Sequence, residues 1–73
     1  MNRKEAEILA RKVVERMNEF SRGDEIVLAG ASVPFWQEMK KAGYRDDEIA
    51  EMWQQAVARY WRPAEDQSGP SNG

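Results

Sequence analysis

Residues 35–61, FWQEMKKAGYRDDEIAEMWQQAVARYW, decide the fold of this 73-residue chain. Six of the seven aromatic residues lie in this stretch, and Gly43 divides it into two segments with helical spacing. Apolar residues three and four positions apart occupy one face of an α-helix. The stretch therefore predicts two helices joined by a short turn, with aromatic side chains supplying much of the core.

The segment after the turn shows the clearest helical spacing. Acidic residues at positions 46–48 suit the positive end of a helix dipole, so this helix is expected to begin at Arg45 or Asp46. Pro63 is expected to end it. Its apolar face comprises Ile49, Met52, Trp53, Ala56, Val57 and Tyr60.

The segment before the turn predicts a shorter helix, from about residue 33 to residue 42. Ser32 is a good N-cap, and Pro34 is tolerated in a first turn. Phe35 lies about 100° from the apolar stripe, so it either packs on another element or faces outwards. The stripe comprises Val33, Trp36, Met39 and Ala42.

The N-terminal segment predicts a long helix from about Arg3 to Arg22. Asn2 and Glu5 have the spacing of a capping box. Gly23 suits the left-handed position that follows many helices. The apolar face comprises Ala6, Leu9, Val13, Met17 and Phe20, and Ile8, Ala10 and Val14 broaden it.

The connection DEIVLAGASVP, residues 24–34, is ambiguous. Residues 26–28 have the composition of a short strand, yet no other segment alternates with a period of two. Because a single strand would lack a partner, a short helical turn or a buried apolar loop is expected here.

These elements predict an all-α fold, either a small three-helix bundle or an orthogonal trihelical domain. Residues 1–63 form one domain, and the Pro/Gly/Ser-rich residues 64–73 are expected to be a disordered tail. The predicted core comprises Ile49, Met52, Trp53, Val57 and Tyr60, with Leu9, Val13, Met17 and Phe20.

The composition argues against catalysis. The chain has no cysteine and no histidine, the residues that most often act as nucleophile or general base at neutral pH. Disulfides are excluded, and a zinc site has none of its preferred ligands. We therefore expect a protein that is not an enzyme.

One acidic cluster offers an alternative. Carboxylates at this spacing are able to hold a hard cation such as Mg²⁺, but acidic residues also gather at helix N-termini because they stabilise the dipole. We favour the second explanation, so no metal or cofactor is expected. The cluster comprises Asp46, Asp47, Glu48 and Glu51.

Charge and hydropathy bear on partners and location. Eleven basic residues stand against 13 acidic ones, a net charge of -2 that does not favour nucleic acid. The longest apolar run, residues 26–31, is too short to span a bilayer. The first 17 residues are too charged for a secretory signal. These features predict a cytoplasmic protein without a membrane partner.

Residues 35–57 also resemble a helix-turn-helix in outline, since a glycine-containing turn separates two short helices. A small DNA-binding regulator is therefore the alternative hypothesis. Against it, the helix that would read DNA begins with Asp46 and Asp47, which phosphates repel.

Adjacent aromatic residues suggest a binding surface. Phe35–Trp36 and Tyr60–Trp61 each diverge by about 100°, so a three-helix monomer leaves one member of each pair partly exposed. Exposed aromatic residues with arginine at the rim are typical of protein interfaces. The predicted protein-binding residues are Phe35, Tyr44 and Trp61, with Arg59 and Arg62 at the rim.

The sequence thus predicts a small non-catalytic protein that binds another protein. An adaptor, a small subunit of a complex, or an inhibitor of the phage or mobile-element type would fit its size. Small domains often gain stability by oligomerisation, so a homodimer formed through the aromatic face is also expected.

Overall fold

The computed structural model describes residues 2–63, which form three α-helices without any strand. The all-α, three-helix fold class is confirmed. The predicted tail, residues 64–73, lies outside the described residues. The helices are α1 (Arg3–Ser21), α2 (Glu25–Lys41) and α3 (Asp46–Tyr60).

Helix α1 begins and ends close to the predicted positions. The Asn2 side chain accepts a hydrogen bond from the Glu5 backbone at 2.8 Å, and the Glu5 carboxylate accepts one from the Asn2 backbone at 3.1 Å. This reciprocal capping box satisfies two of the N–H groups that a helix leaves unpaired at its start. At the other end the chain is left-handed at Gly23 and already at Arg22, where φ is 55°.

Helix α2 is longer than predicted, because it begins at Glu25 instead of Val33. The Asp24 side chain caps it by accepting a hydrogen bond from the Ile26 backbone at 2.9 Å. The ambiguous residues 26–28 are therefore its first turns. Aspartate is as good an N-cap as serine, and the start at Asp24 brings residues 26–31 into the helix.

The predicted N-cap at Ser32 is wrong. Its hydroxyl lies inside α2 and donates to the Ala29 carbonyl at 2.6 Å. Pro34 is likewise in the helix interior. Because proline has no N–H, the carbonyl of Gly30, four residues earlier, lacks its usual donor.

Helix α3 agrees with the prediction at both ends. The Glu48 carboxylate accepts a hydrogen bond from the Arg45 backbone at 2.9 Å, which caps the start. The N–H of Trp61 donates to the Val57 carbonyl at 3.0 Å and closes the last turn. Gly43, with φ of 97°, makes the preceding turn.

The core lies where α1 packs on both other helices. Helix α1 contributes small side chains four residues apart, which let α2 and α3 approach it closely. The buried hydrophobic residues of the described chain are Ala6, Ala10, Val14, Leu28, Phe35, Met39, Ile49, Met52 and Ala56.

The predicted core is therefore shifted. Ile49 and Met52 are buried as expected, whereas other predicted core residues are partly buried against this cluster: Leu9, Met17, Trp53, Val57 and Tyr60. Val13 is also only partly buried.

Phe20 is the clear error in the predicted core, since 67% of its surface is exposed. Helix α3 ends at Tyr60, whose carbonyl accepts a hydrogen bond from the Asn18 side chain at 2.8 Å. Phe20 lies beyond this point on α1, so α3 offers nothing for it to pack against.

Candidate functional site

The Phe35–Trp36 pair is arranged in the opposite way to the prediction, which placed Trp36 on the core face of the helix and Phe35 at the surface. Phe35 is buried, with 2% of its surface exposed, and its ring lies against that of Trp53. Trp36 is half-buried. Because α2 starts at Glu25, its core face runs through Leu28, Phe35 and Met39, at spacings of seven and four. The expectation that Phe35 is exposed is wrong for this reason, while its protein-binding role stays a prediction.

Tyr44 and Trp61 are both half-buried and pack against the core. They flank α3 at opposite ends, and the 15 residues of that helix separate them by about 22 Å along its axis. The structure therefore does not bring them together in one patch. A binding role for either residue stays a prediction.

The two predicted rim arginines also belong to different features. Arg59 is exposed and lines a groove between α1 and α3. Arg62 is exposed beyond the end of α3, and its backbone N–H donates to the Asn18 side chain at 2.8 Å. A rim role for either arginine stays a prediction.

The groove between α1 and α3 has a volume of about 210 Å³. The charge of Arg11, which lines the groove, is partly neutralised because Arg11 pairs with Glu15 at 3.1 Å. Its guanidinium also lies over the Tyr60 ring, 4.9 Å from the centroid. The groove is lined by Lys4, Glu7, Ile8, Arg11, Met52, Gln55, Ala56, Arg59 and Tyr60.

The acidic residues at the start of α3 do not converge on a common point. Asp46 accepts a hydrogen bond from the Trp36 indole at 3.1 Å and pairs with Lys40 at 3.1 Å. These contacts, the indole first, lower the pKa of Asp46 below its ordinary value. Asp47 pairs with Arg45, and Glu51 with Arg3. Within residues 2–63 no cluster of three or more acidic side chains is placed to hold a metal ion.

The outline of a helix-turn-helix is present in α2, the Gly43 turn and α3. The exposed end of α3 that would approach DNA carries Asp46 and Asp47. Carboxylates at this position repel phosphates. A DNA-binding role stays a prediction, and this charge pattern does not favour it.

The side of α2 that faces away from the core is the feature that the sequence analysis missed. We call it the outer face of α2 and define it by Ile26, Gly30, Val33, Pro34, Gln37 and Lys41, all exposed. At 100° per residue, Gly30 lies diametrically opposite the buried Met39. Ile26 is 82% exposed and Val33 52% exposed. An apolar patch thus covers the first half of this face.

A sequence signal for this face exists. Residues 26–34 are apolar at almost every position, so a helix through them is apolar on both sides. Only one of those sides meets the core of the monomer. A helix that starts at Val33, as predicted, does not contain Ile26 and Gly30. Its second apolar side is therefore not apparent from the predicted boundary.

Comparison with protein-family models, curated proteins and solved structures finds no significant match for this chain. Among residues 2–63, no helix combines the length and apolar character that crossing a bilayer requires.

Proposed function

We propose that this chain is a non-catalytic, cytoplasmic protein-binding module whose main contact surface is the outer face of α2. An adaptor, a small subunit of a larger complex and an inhibitor each use such a surface. The observation that carries the proposal is the exposure of Ile26 and Val33 on a helix that is already packed on its other side.

The energetics support a contact at this face. Full burial of an isoleucine or valine side chain stabilises by about 1.5–3 kcal/mol. A helix that is apolar all round is typical of one buried on all sides, and contiguous exposed apolar patches mark interaction sites. In the monomer only Leu28, Phe35 and Met39 of α2 are buried.

The polar surface supports a non-catalytic role. Several carboxylates are exposed and engaged in ion pairs, such as Asp46 with Lys40 and Glu51 with Arg3. This leaves binding as the function that the surface supports best.

Site-specific photocrosslinking tests the proposal. The photoreactive residue benzoylphenylalanine replaces Val33 in cells that express the full chain, and irradiation links it to whatever lies against the outer face of α2. We expect a discrete adduct heavier than the 8.4 kDa chain.

The matched control carries the same photoreactive residue at Gln54, an exposed position on α3. We expect no discrete adduct there. Absence of any adduct at position 33, or an equal adduct at position 54, would contradict the proposed surface.

A further inference from the structure

We infer that the occupant of the outer face of α2 is a second copy of this chain, with the two α2 helices antiparallel about a two-fold axis between Val33 and Pro34. The inference rests on the proposed function and names the partner at the same surface. A two-fold interface requires that a surface be complementary to itself, and the outer face of α2 meets this condition.

The positions of the outer face are symmetric about that axis. Gly30 and Gln37 lie equally far from the point between Val33 and Pro34, and so do Ile26 and Lys41. Antiparallel pairing therefore places every member of the face opposite another member. Val33 packs against Pro34 at the centre, and the aliphatic stem of Lys41 covers Ile26, as lysine stems do on apolar surface.

Gly30 has no packing role within the monomer. A Cβ atom added there would meet no atom within 4 Å, and glycine in a helix interior costs about 0.5–1 kcal/mol relative to alanine. Close approach of a second backbone explains a glycine at this position. The second α2 helix supplies that backbone.

The hydrogen-bonding groups of Gly30 in one copy and Gln37 in the other are also complementary. The Gly30 carbonyl lacks its usual donor because residue 34 is proline. Within residues 2–63 the Gln37 side chain makes no hydrogen bond. In the antiparallel pair the Gln37 amide of one copy lies opposite Gly30 of the other, where it donates to this carbonyl.

The charges at the two ends of α2 are also complementary. The N-terminal end carries Asp24 and Glu25, and the C-terminal end carries Lys40 and Lys41. Within residues 2–63, neither Glu25 nor Lys41 forms an ion pair. Antiparallel pairing brings the acidic end of one helix to the basic end of the other and aligns the helix dipoles favourably.

Sedimentation velocity of the full chain over a range of concentrations tests the inference. We expect the mass to rise from 8.4 kDa towards twice that value. Gly30→Leu blocks the close approach and weakens association by an order of magnitude or more, on the scale of overpacking penalties. Val33→Asp abolishes it, whereas Ile8→Asp, a control at an exposed isoleucine on α1, leaves the mass unchanged.

Charge reversal tests the antiparallel arrangement independently. Glu25→Lys and Lys41→Glu each weaken association roughly fivefold or more, since two ion pairs are lost per dimer. The double variant restores it. Circular dichroism in dilute solution verifies that every variant folds. Equal association of both single variants and wild type would overturn the arrangement.

Two outcomes separate this inference from the proposed function. A wild-type chain that stays monomeric at all concentrations, or a dimer that Gly30→Leu and Val33→Asp do not affect, overturns the second copy as occupant. If photocrosslinking at position 33 then yields an adduct with a different protein, the binding function stands with that protein as occupant. If it yields no adduct, the proposed surface fails as well.

Discussion

The ring of Phe35 lies against the ring of Trp53, with centroids 5.4 Å apart and planes inclined by 36°. Tilted pairs at this distance contribute beyond the apolar area they bury. This contact joins α2 to α3. We expect Phe35→Ala to lower the free energy of unfolding by about 3–5 kcal/mol, measured by urea denaturation.

Val33→Ala is the control for Phe35→Ala, since Val33 lies on the same helix but is half exposed. In dilute solution this change should alter stability by no more than about 0.5 kcal/mol. Comparable losses for the two variants would show that Phe35 is not a core residue.

Asn18 connects α1 to the end of α3 through two hydrogen bonds, donating to the Tyr60 carbonyl and accepting from the Arg62 N–H, both at 2.8 Å. Asn18→Ala removes both bonds and should cost about 1–3 kcal/mol. Amide hydrogen exchange at Arg62 should accelerate in this variant. Asn18→Asp keeps an acceptor for Arg62, so protection of that amide should persist; loss in both variants would contradict the assignment.

The indole of Trp36, and after it Lys40, lowers the pKa of Asp46. A carboxyl whose pKa is lower in the folded state stabilises the fold above its unfolded value of about 3.9, and this contribution disappears as the pH falls through the folded pKa. We therefore expect Asp46→Asn to remove part of the loss of stability that wild type shows below about pH 4.

Trp36→Phe should raise the pKa of Asp46 towards its ordinary value, because the indole donor is lost. A carboxyl carbon NMR titration measures the change. Trp61→Phe is the matched control, since the Trp61 Nε1 has no hydrogen-bond partner within the described residues. An unchanged Asp46 pKa in Trp36→Phe would contradict the role of the indole.

Two glycines should respond to alanine with opposite signs. Gly43 has a φ of 97°, so Gly43→Ala forces a side chain into a left-handed conformation and should destabilise by about 1 kcal/mol or more. Gly30 is helical with open space around it, so Gly30→Ala should stabilise the monomer by about 0.5–1 kcal/mol. Thermal unfolding in dilute solution measures both, and a loss of stability in Gly30→Ala would contradict the open environment.

Much of the fold follows from local signals in the sequence. The Asn2–Glu5 capping box and the acidic start of α3 act within one turn, and both helices begin where these signals predict. The start of α2 was mispredicted because Asp24 and Ser32 are both good N-caps. Local preference does not choose between them, whereas packing does, because the start at Asp24 places Leu28 in the core with Phe35 and Met39.

The binding surface was less predictable than the fold, and for a related reason. The prediction that Phe35 is exposed depends on a helix that starts at Val33. It is wrong because the helix begins at Glu25. Tyr44 and Trp61 are close to the core at opposite ends of α3, a separation that depends on tertiary packing. The outer face of α2 can be recognised only when the helix is known to run from Glu25 to Lys41.

The isoleucine methyl groups provide the most direct test of a second copy at the outer face of α2. The chain has three isoleucines: Ile26 is on this face, Ile8 is exposed on α1, and Ile49 is fully buried in the core. In a methyl-labelled NMR sample we predict that raising the protein concentration shifts the Ile26 signal and leaves the Ile8 and Ile49 signals in place. An Ile26 signal that does not move with concentration, or an Ile8 signal that moves instead, would contradict the account.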